Sequence, residues 1–398
     1  MLEFSIFGLT LLGVAVLHRH SLWVAVSGLV VVTILKTAWL GFGPVRGFEG
    51  LLAHLAHESV SVSNLLGLLL GFAILSRHFE QSGIPKRLPH FLPDDWKGGF
   101  ALLVLVFVLS AFLDNIAAAI IGGTIAASVF RGKVHVGYLA GIVAASNAGG
   151  SGSVVGDTTT TMMWIAGASP LAVLHAYTAA LTALLISAWF AARQQQAYSP
   201  IIVDAPTHSP IDRARVMVVA IMLGAVMSAN ILANTRFAGA ADRFPVLATA
   251  LWTAILVCTP WRKPDWSVLP GAARGALFLL SLVLLASMMP VQTMPQPSWM
   301  SVLGLGFVSA VFDNIPLTAL AIRQDGYDWG MLAYAVGFGG SMVWFGSSAG
   351  VALTGQFEHA RSVGPWLRHG WHVLLAYLAG FGVMLLVHGW HPSMLRPG

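Results

Sequence analysis

The amino-acid sequence predicts an all-α membrane protein of ten transmembrane helices in two inverted repeats, each with a re-entrant helical hairpin and a discontinuous helix. Three observations carry this. Of the 398 residues, 57% are hydrophobic and 9% charged, too little polar surface for a water-facing globule. Ten apolar stretches of about the length that crosses a bilayer recur along the chain. A further pair of stretches, 98–130 and 298–322, is interrupted by the same word, Phe-Leu-Asp-Asn-Ile at 112–116 and Phe-Asp-Asn-Ile-Pro at 312–316.

The ten spans fall near 4–17, 22–40, 59–76, 136–167, 171–192, 215–234, 243–260, 271–289, 330–356 and 367–388. The first has Glu3 where a signal peptide would have a basic residue, with His18, Arg19 and His20 after the apolar run. It reads as a retained span with its N-terminus outside. The interrupted stretches fit no simple span. Each arm beside Asp114 is short for a crossing, and the two as one helix would reach about 50 Å. A hairpin that dips in and returns on one side fits better. Positive charge supports it: with both hairpins re-entrant, 15 of the 21 Lys and Arg residues fall on one face, as cytoplasmic loops require. That assignment puts both termini outside and the protein in the cell, or inner, membrane.

Three spans, a hairpin and two spans then occur twice, over 1–192 (hairpin 98–130, broken helix 136–167) and 215–398 (hairpin 298–322, broken helix 330–356), around a polar linker at 193–214. Five crossings per half is odd, so the halves are inverted, a plan common among secondary transporters. The single cysteine, Cys258, excludes an internal disulfide and a thiolate cluster. No basic stripe points to nucleic acid. The partners expected are the lipid bilayer and small inorganic cations, with no cofactor.

The chemistry should lie with Asp114, Asp157 and Asp313. A charged Asp at the centre of a membrane helix costs about 2.5–3.5 kcal/mol on insertion scales, so acids at that depth mark function. Each stands beside helix-breaking residues: Asn115, Asn314 and the glycine series Gly149, Gly150, Gly152 and Gly156. Free backbone groups of broken helices are tolerated where they line a cavity. Carbonyls, the hydroxyls of Thr158 to Thr161 and a carboxylate make an all-oxygen site for a hard cation such as Na+ or Li+. A desolvated carboxylate holds a proton or a metal ion but not both comfortably, and that competition is exchange. In the second half Gly346-Ser347-Ser348 stands where the first has Gly156-Asp157-Thr158. Asp157 is therefore expected to be the main exchanger, with Ser347 and Ser348 as neutral ligands. The structural alternatives are turn formation by the Asp-Asn pairs and helix capping by Asp157.

The blocks at 145–167, 309–322 and 337–355, with 110–120, resemble the NhaD-type sodium/proton antiporters of the ion transporter superfamily that also holds arsenite, citrate and dicarboxylate carriers. The resemblance implies a homodimer with a scaffold part and a transport part. It places Asp114, Asn115, Asp157, Thr158, Thr159, Asp313, Asn314, Ser341 and Ser347 at ion and proton positions, and Asn147 in the same block joins that set. Val154-Val155 stands where the family has a Ser/Pro-containing turn. The resulting expectation is exchange of cytoplasmic Na+ or Li+ for external H+. The alternative is a Na+- or H+-coupled carrier of a small carboxylate or oxyanion, which the lack of Lys and Arg in the core blocks disfavours. No nucleophile elbow or HExxH sequence argues for an enzyme.

Overall fold

The computed structural model describes residues 2–17, 20–42, 45–87, 92–153, 156–202, 210–236, 243–291 and 294–395; Val154 and Val155 lie outside them. Among the described residues the protein is all-helical. In chain order the first helices are α1 (Leu2–Val16), α2 (Ser21–Leu35), α3 (Gly47–Gln81), α4 (Ile84–Arg87), α5 (Trp96–Ser110), α6 (Asn115–Val129) and α7 (Val136–Ser151). There follow α8 (Thr158–Ile165), α9 (Pro170–Leu174), α10 (Ala176–Tyr198), α11 (Arg213–Arg236), α12 (Val246–Cys258) and α13 (Leu269–Ser287). The last are α14 (Trp299–Ser309), α15 (Asn314–Gln324), α16 (Trp329–Gly339), α17 (Ser348–Gln356), α18 (Val363–His369) and α19 (Trp371–His388).

Among the described residues, five helical stretches are long and apolar enough to cross a membrane: Ser21–Leu40, Gly47–Gln81, Pro170–Tyr198, Trp266–Ser287 and Trp371–His388. Shorter apolar helices, α5, α6, α12 and α14 among them, accompany these. Two boundaries differ from the sequence reading. The expected span at 59–76 is the middle of α3, whose 35 residues would run about 52 Å. His54, His57 and Glu58 lower the hydropathy there without breaking the helix, because their backbone stays paired, and the His54 and Glu58 side chains bond Ser287 and Arg323. The expected linker at 193–214 is partly helical, since α10 runs on to Tyr198 and α11 starts at Arg213. Polar residues such as Gln194 and Gln195 are good helix formers, and Gln195 is held by bonds to the Lys133 and Ser199 carbonyls.

The helices sort into two packing groups. In one, α3 and α13 pack against each other and gather α2, α11 and α12, with α1 on α2. In the other, α10 packs on α19, α7 and α5, while α16 joins α14 and α7 and α17 lies on α6. Small residues permit the close crossings of the second group. Ala179, Ala180, Ala183, Ala188 and Ala191 of α10 are all buried. A methyl at Gly141 would stand 2.8 Å from the Ala191 Cβ, and one at Gly380 2.6 Å from the Ala179 carbonyl. Helices α8 and α15 pack on each other and on α16 of the second group, and they also make the chief contacts between the groups, α15 closely on α13 and α8 more lightly on α3.

Candidate ion-binding site

Helix ends build the site. Asp114 precedes α6, Asp157 precedes α8, Asp313 precedes α15 and Ser347 precedes α17, each at the N-cap position. The last three accept a bond from the first turn of the helix they cap. Asp157 Oδ1 takes the Thr159 N–H at 3.2 Å, Asp313 Oδ1 the Ile315 N–H at 3.1 Å and Ser347 Oγ the Gly350 N–H at 3.3 Å. Such caps occupy otherwise unpaired N–H groups and lie at the positive end of the helix dipole, so they hold the carboxylates in place. Asp157 thus caps α8, yet the cap employs one oxygen only. Asp157 Oδ2 is buried with no hydrogen-bond partner, as are Thr159 Oγ1 and Asn314 Nδ2.

Glycines set how near the broken helices come. A Cβ on Gly156 would run into the Ser110 carbonyl, and one on Gly149 into that of Phe107. Gly346 meets the Ala310 carbonyl and Gly339 that of Gly306 in the same way. Both breaks are therefore pressed against the end of the helix before the matching Asp-Asn pair. The hydroxyls agree: Ser110, four residues before Asp114, donates to the Ser146 carbonyl, and Ser309, four before Asp313, donates to that of Val336.

Between the breaks lies a fully buried amide network. Asn115 Nδ2 donates to Asn147 Oδ1 at 3.1 Å, and Asn147 Nδ2 donates to Ser341 Oγ at 2.9 Å and Ser347 Oγ at 3.1 Å. Gly337 faces Asp157, since a methyl there would lie 3.5 Å from Oδ2 and from the Ser151 Cβ. Thr160 and Thr161 hydroxyls both turn back to the Asp157 carbonyl at 2.9 Å.

Asp114, Asp157, Thr158 and Thr161 line a cavity of about 340 Å³ that runs between the two packing groups, along α3 from Leu65 to Glu80 and past Val268, Gly271 and Gly275 of the α13 region. Asp313 does not reach it. With Ser348, whose Oγ donates to Asp313 Oδ2 at 3.0 Å, it lines a separate cavity of about 250 Å³ bounded by Leu11, Ser21 and Phe278. The sequence thus identifies residues that the fold divides between two cavities, and the Asn147 network lines neither. It did not single out Glu80 and Ser76, which also line the larger cavity. Glu80 sits near the end of a span, where charge passes for ordinary interface polarity; Arg77, three residues before it, was the available signal. At the same end, outside the apolar spans, Asp265 accepts bonds from Ser267 and from Arg77 Nε. Those two donors, Ser267 first, hold its carboxyl down at about 2.

Apolar helices broken beside buried carboxylates, with a cavity leading to them, are the equipment of a membrane transporter. A family model described as a citrate transporter matches residues 7–339, and the chain belongs to that family. It is 26% identical over 386 residues to sodium/proton antiporter 1 of Arabidopsis thaliana, covering 85% of this chain and 64% of that protein. Against sodium/proton antiporter 2 of the same plant the identity is 24%, over 94% of each. The Na+/H+ antiporter NhaD of Halomonas elongata is 33% identical over 96 residues, 23% of this chain and 19% of that one. The chain thus spans less than two-thirds of the length of the first of these relatives. The resemblance to NhaD-type antiporters stands, and family and relatives are transporters rather than enzymes.

Proposed function

We propose that the protein is a secondary transporter exchanging cytoplasmic Na+ or Li+ for external H+ by alternating access. The observation that carries this is Asp157: one carboxylate oxygen fixed by the Thr159 amide and the other buried without a partner, on a residue lining the large cavity. An unpaired buried oxygen is costly, and either a proton or a bare cation would satisfy it. Asp114, Thr158, Thr159 and the amide network complete an oxygen-rich surround, while Asp313, Asn314, Ser347 and Ser348 form its counterpart across Asn147. Support for two inverted repeats of five spans with re-entrant hairpins comes from the matched Ser110 and Ser309 bonds and the matched glycine contacts. The packing groups fit a scaffold and a transport part. We place the protein in the cell membrane, termini outside, as a homodimer.

The second reading is a carrier of a small carboxylate, favoured by the description of the family. Its difficulty is charge: among the described residues the large cavity is lined by Asp114, Asp157 and Glu80, the last of them paired with Arg77, and by no Lys or Arg, which disfavours an anion. The test is collapse of an imposed pH gradient in inverted vesicles from an antiporter-deficient host. NaCl or LiCl should collapse the gradient with wild type and not with Asp157→Asn. A response to citrate alone would replace the exchange reading with the carrier.

A further inference from the structure

Two cavities lie in line between the packing groups. Beyond Leu65, which lines both, a smaller space of about 90 Å³ is bounded by Glu58, Ser61 and Val62 of α3, Val283 and Ser287 of α13, and Met162, Ile165, Ala319, Ile322 and Arg323 from the other group. Helices α3 and α13 therefore wall both cavities, and α8 gives Thr158 and Thr161 to one and Met162 and Ile165 to the other. Joined at Leu65, the two would form one path with a wide end at Glu80 and a narrow end at Glu58.

Both ends carry a glutamate paired with an arginine, but the arginines differ in origin. Glu80 pairs at 2.9 Å with Arg77 of its own helix, and Arg77 also bonds Asp265 of the same group. Glu58 pairs at 2.8 Å with Arg323, at the end of α15 in the other group. Of the ion pairs formed between described residues, this one alone joins the groups. His54, one turn before Glu58, bonds Ser287 of α13 at 2.9 Å and so stays within its own group. Widening the narrow end must part Glu58 from Arg323, whereas widening or closing the other end leaves Arg77–Glu80 intact.

We infer that the Glu58–Arg323 ion pair is the latch that holds the narrow end of this path shut and must break for the path to open on that side. The inference rests on the alternating-access reading above. The pair is partly exposed, with Glu58 at 15% and Arg323 at 33% of side-chain accessibility. Its loss should therefore shift a balance rather than abolish folding.

Leu65→Cys in a Cys258→Ser background places the one thiol where the cavities meet, and a membrane-impermeant maleimide applied from the Glu58 side reads access without any transported ion. Glu58→Gln and Arg323→Gln should each speed labelling roughly two- to fivefold, and the exchanged pair Glu58→Arg with Arg323→Glu should return it towards the starting rate. Unchanged labelling in both single variants would overturn the latch. Faster labelling in a protein that exchanges no cation would keep the latch and discard the exchange reading. A second arm leaves Leu65 untouched: Glu58→Cys with Arg323→Cys, oxidised to the disulfide, should lose cation-driven pH-gradient collapse and regain it on reduction. Full activity with the disulfide formed would equally overturn the inference.

Discussion

At the first helix break Asp157 caps α8 and keeps one oxygen unpaired; at the second, Ser347 caps α17 and its hydroxyl also receives the Asn147 amide. The two breaks share their glycine contacts with the preceding helix and the buried serine bond beside them, but only one retains a charge. Where a backbone carbonyl lies against the break only glycine fits, so that part of the two breaks resists change. The capping position asks only for an oxygen, and Asp or Ser meets that requirement. Chemistry could therefore diverge at 157 and 347 while the scaffold around them stayed alike.

Substitution can break the comparison. The largest effect is expected from Asp157→Ser, which makes the breaks alike. Sodium-driven exchange in vesicles should fall on the order of 100-fold, as loss of a charged ligand implies, against a few-fold loss for Ser347→Ala. Equal losses at the two positions would mean that the charge difference is immaterial. Next, Gly156→Ala and Gly346→Ala both push a methyl into a carbonyl, and each should lower stability in detergent by about 1–3 kcal/mol. Thermal unfolding followed by a thiol-reactive dye at Cys258 would measure this, and indifference at either glycine would refute the matched packing. Ser110→Ala and Ser309→Ala should sharpen the comparison by costing nearly the same, about 1 kcal/mol each.

The smallest effect lies away from both breaks. Asp265 is partly exposed and its carboxyl is held down at about 2, so the folded state favours its ionised form. The stability it supplies is present above the ordinary carboxylate range near 3.8 and is lost as pH falls from there towards 2. Asp265→Asn should slightly lower the melting temperature at pH 7 and make no difference below pH 2, and a constant difference would be inconsistent with that ion pair.

Much of the frame was legible because a bilayer makes exceptions conspicuous. An Asp-Asn pair or a glycine series inside an apolar run stands out against leucine and valine, and the helices do stop at Ser110, Ser151, Ser309 and Gly339. What could not be read were relations across distance. Asn147 reaches serines 194 and 200 residues away, and Arg323 reaches Glu58 across 265. The division of Asp157 and Asp313 between two cavities depends on where α13 lies. The length of α3 escaped because hydropathy marks where a helix is greasy, whereas backbone pairing continues through His54 and Glu58.

Asn147 holds Asn115 with its carbonyl and Ser341 and Ser347 with its amide, and it is not among the residues lining either Asp cavity. Asn115, next to the first Asp-Asn turn, is therefore tied to the break before α17 through a single planar group. A cage discriminates ionic radii only as well as it resists deformation, so under the proposed exchange the stiffness of that one amide would govern whether a smaller or larger alkali ion is accepted. Preference could then drift by loosening Asn147, with every oxygen that touches the ion left in place.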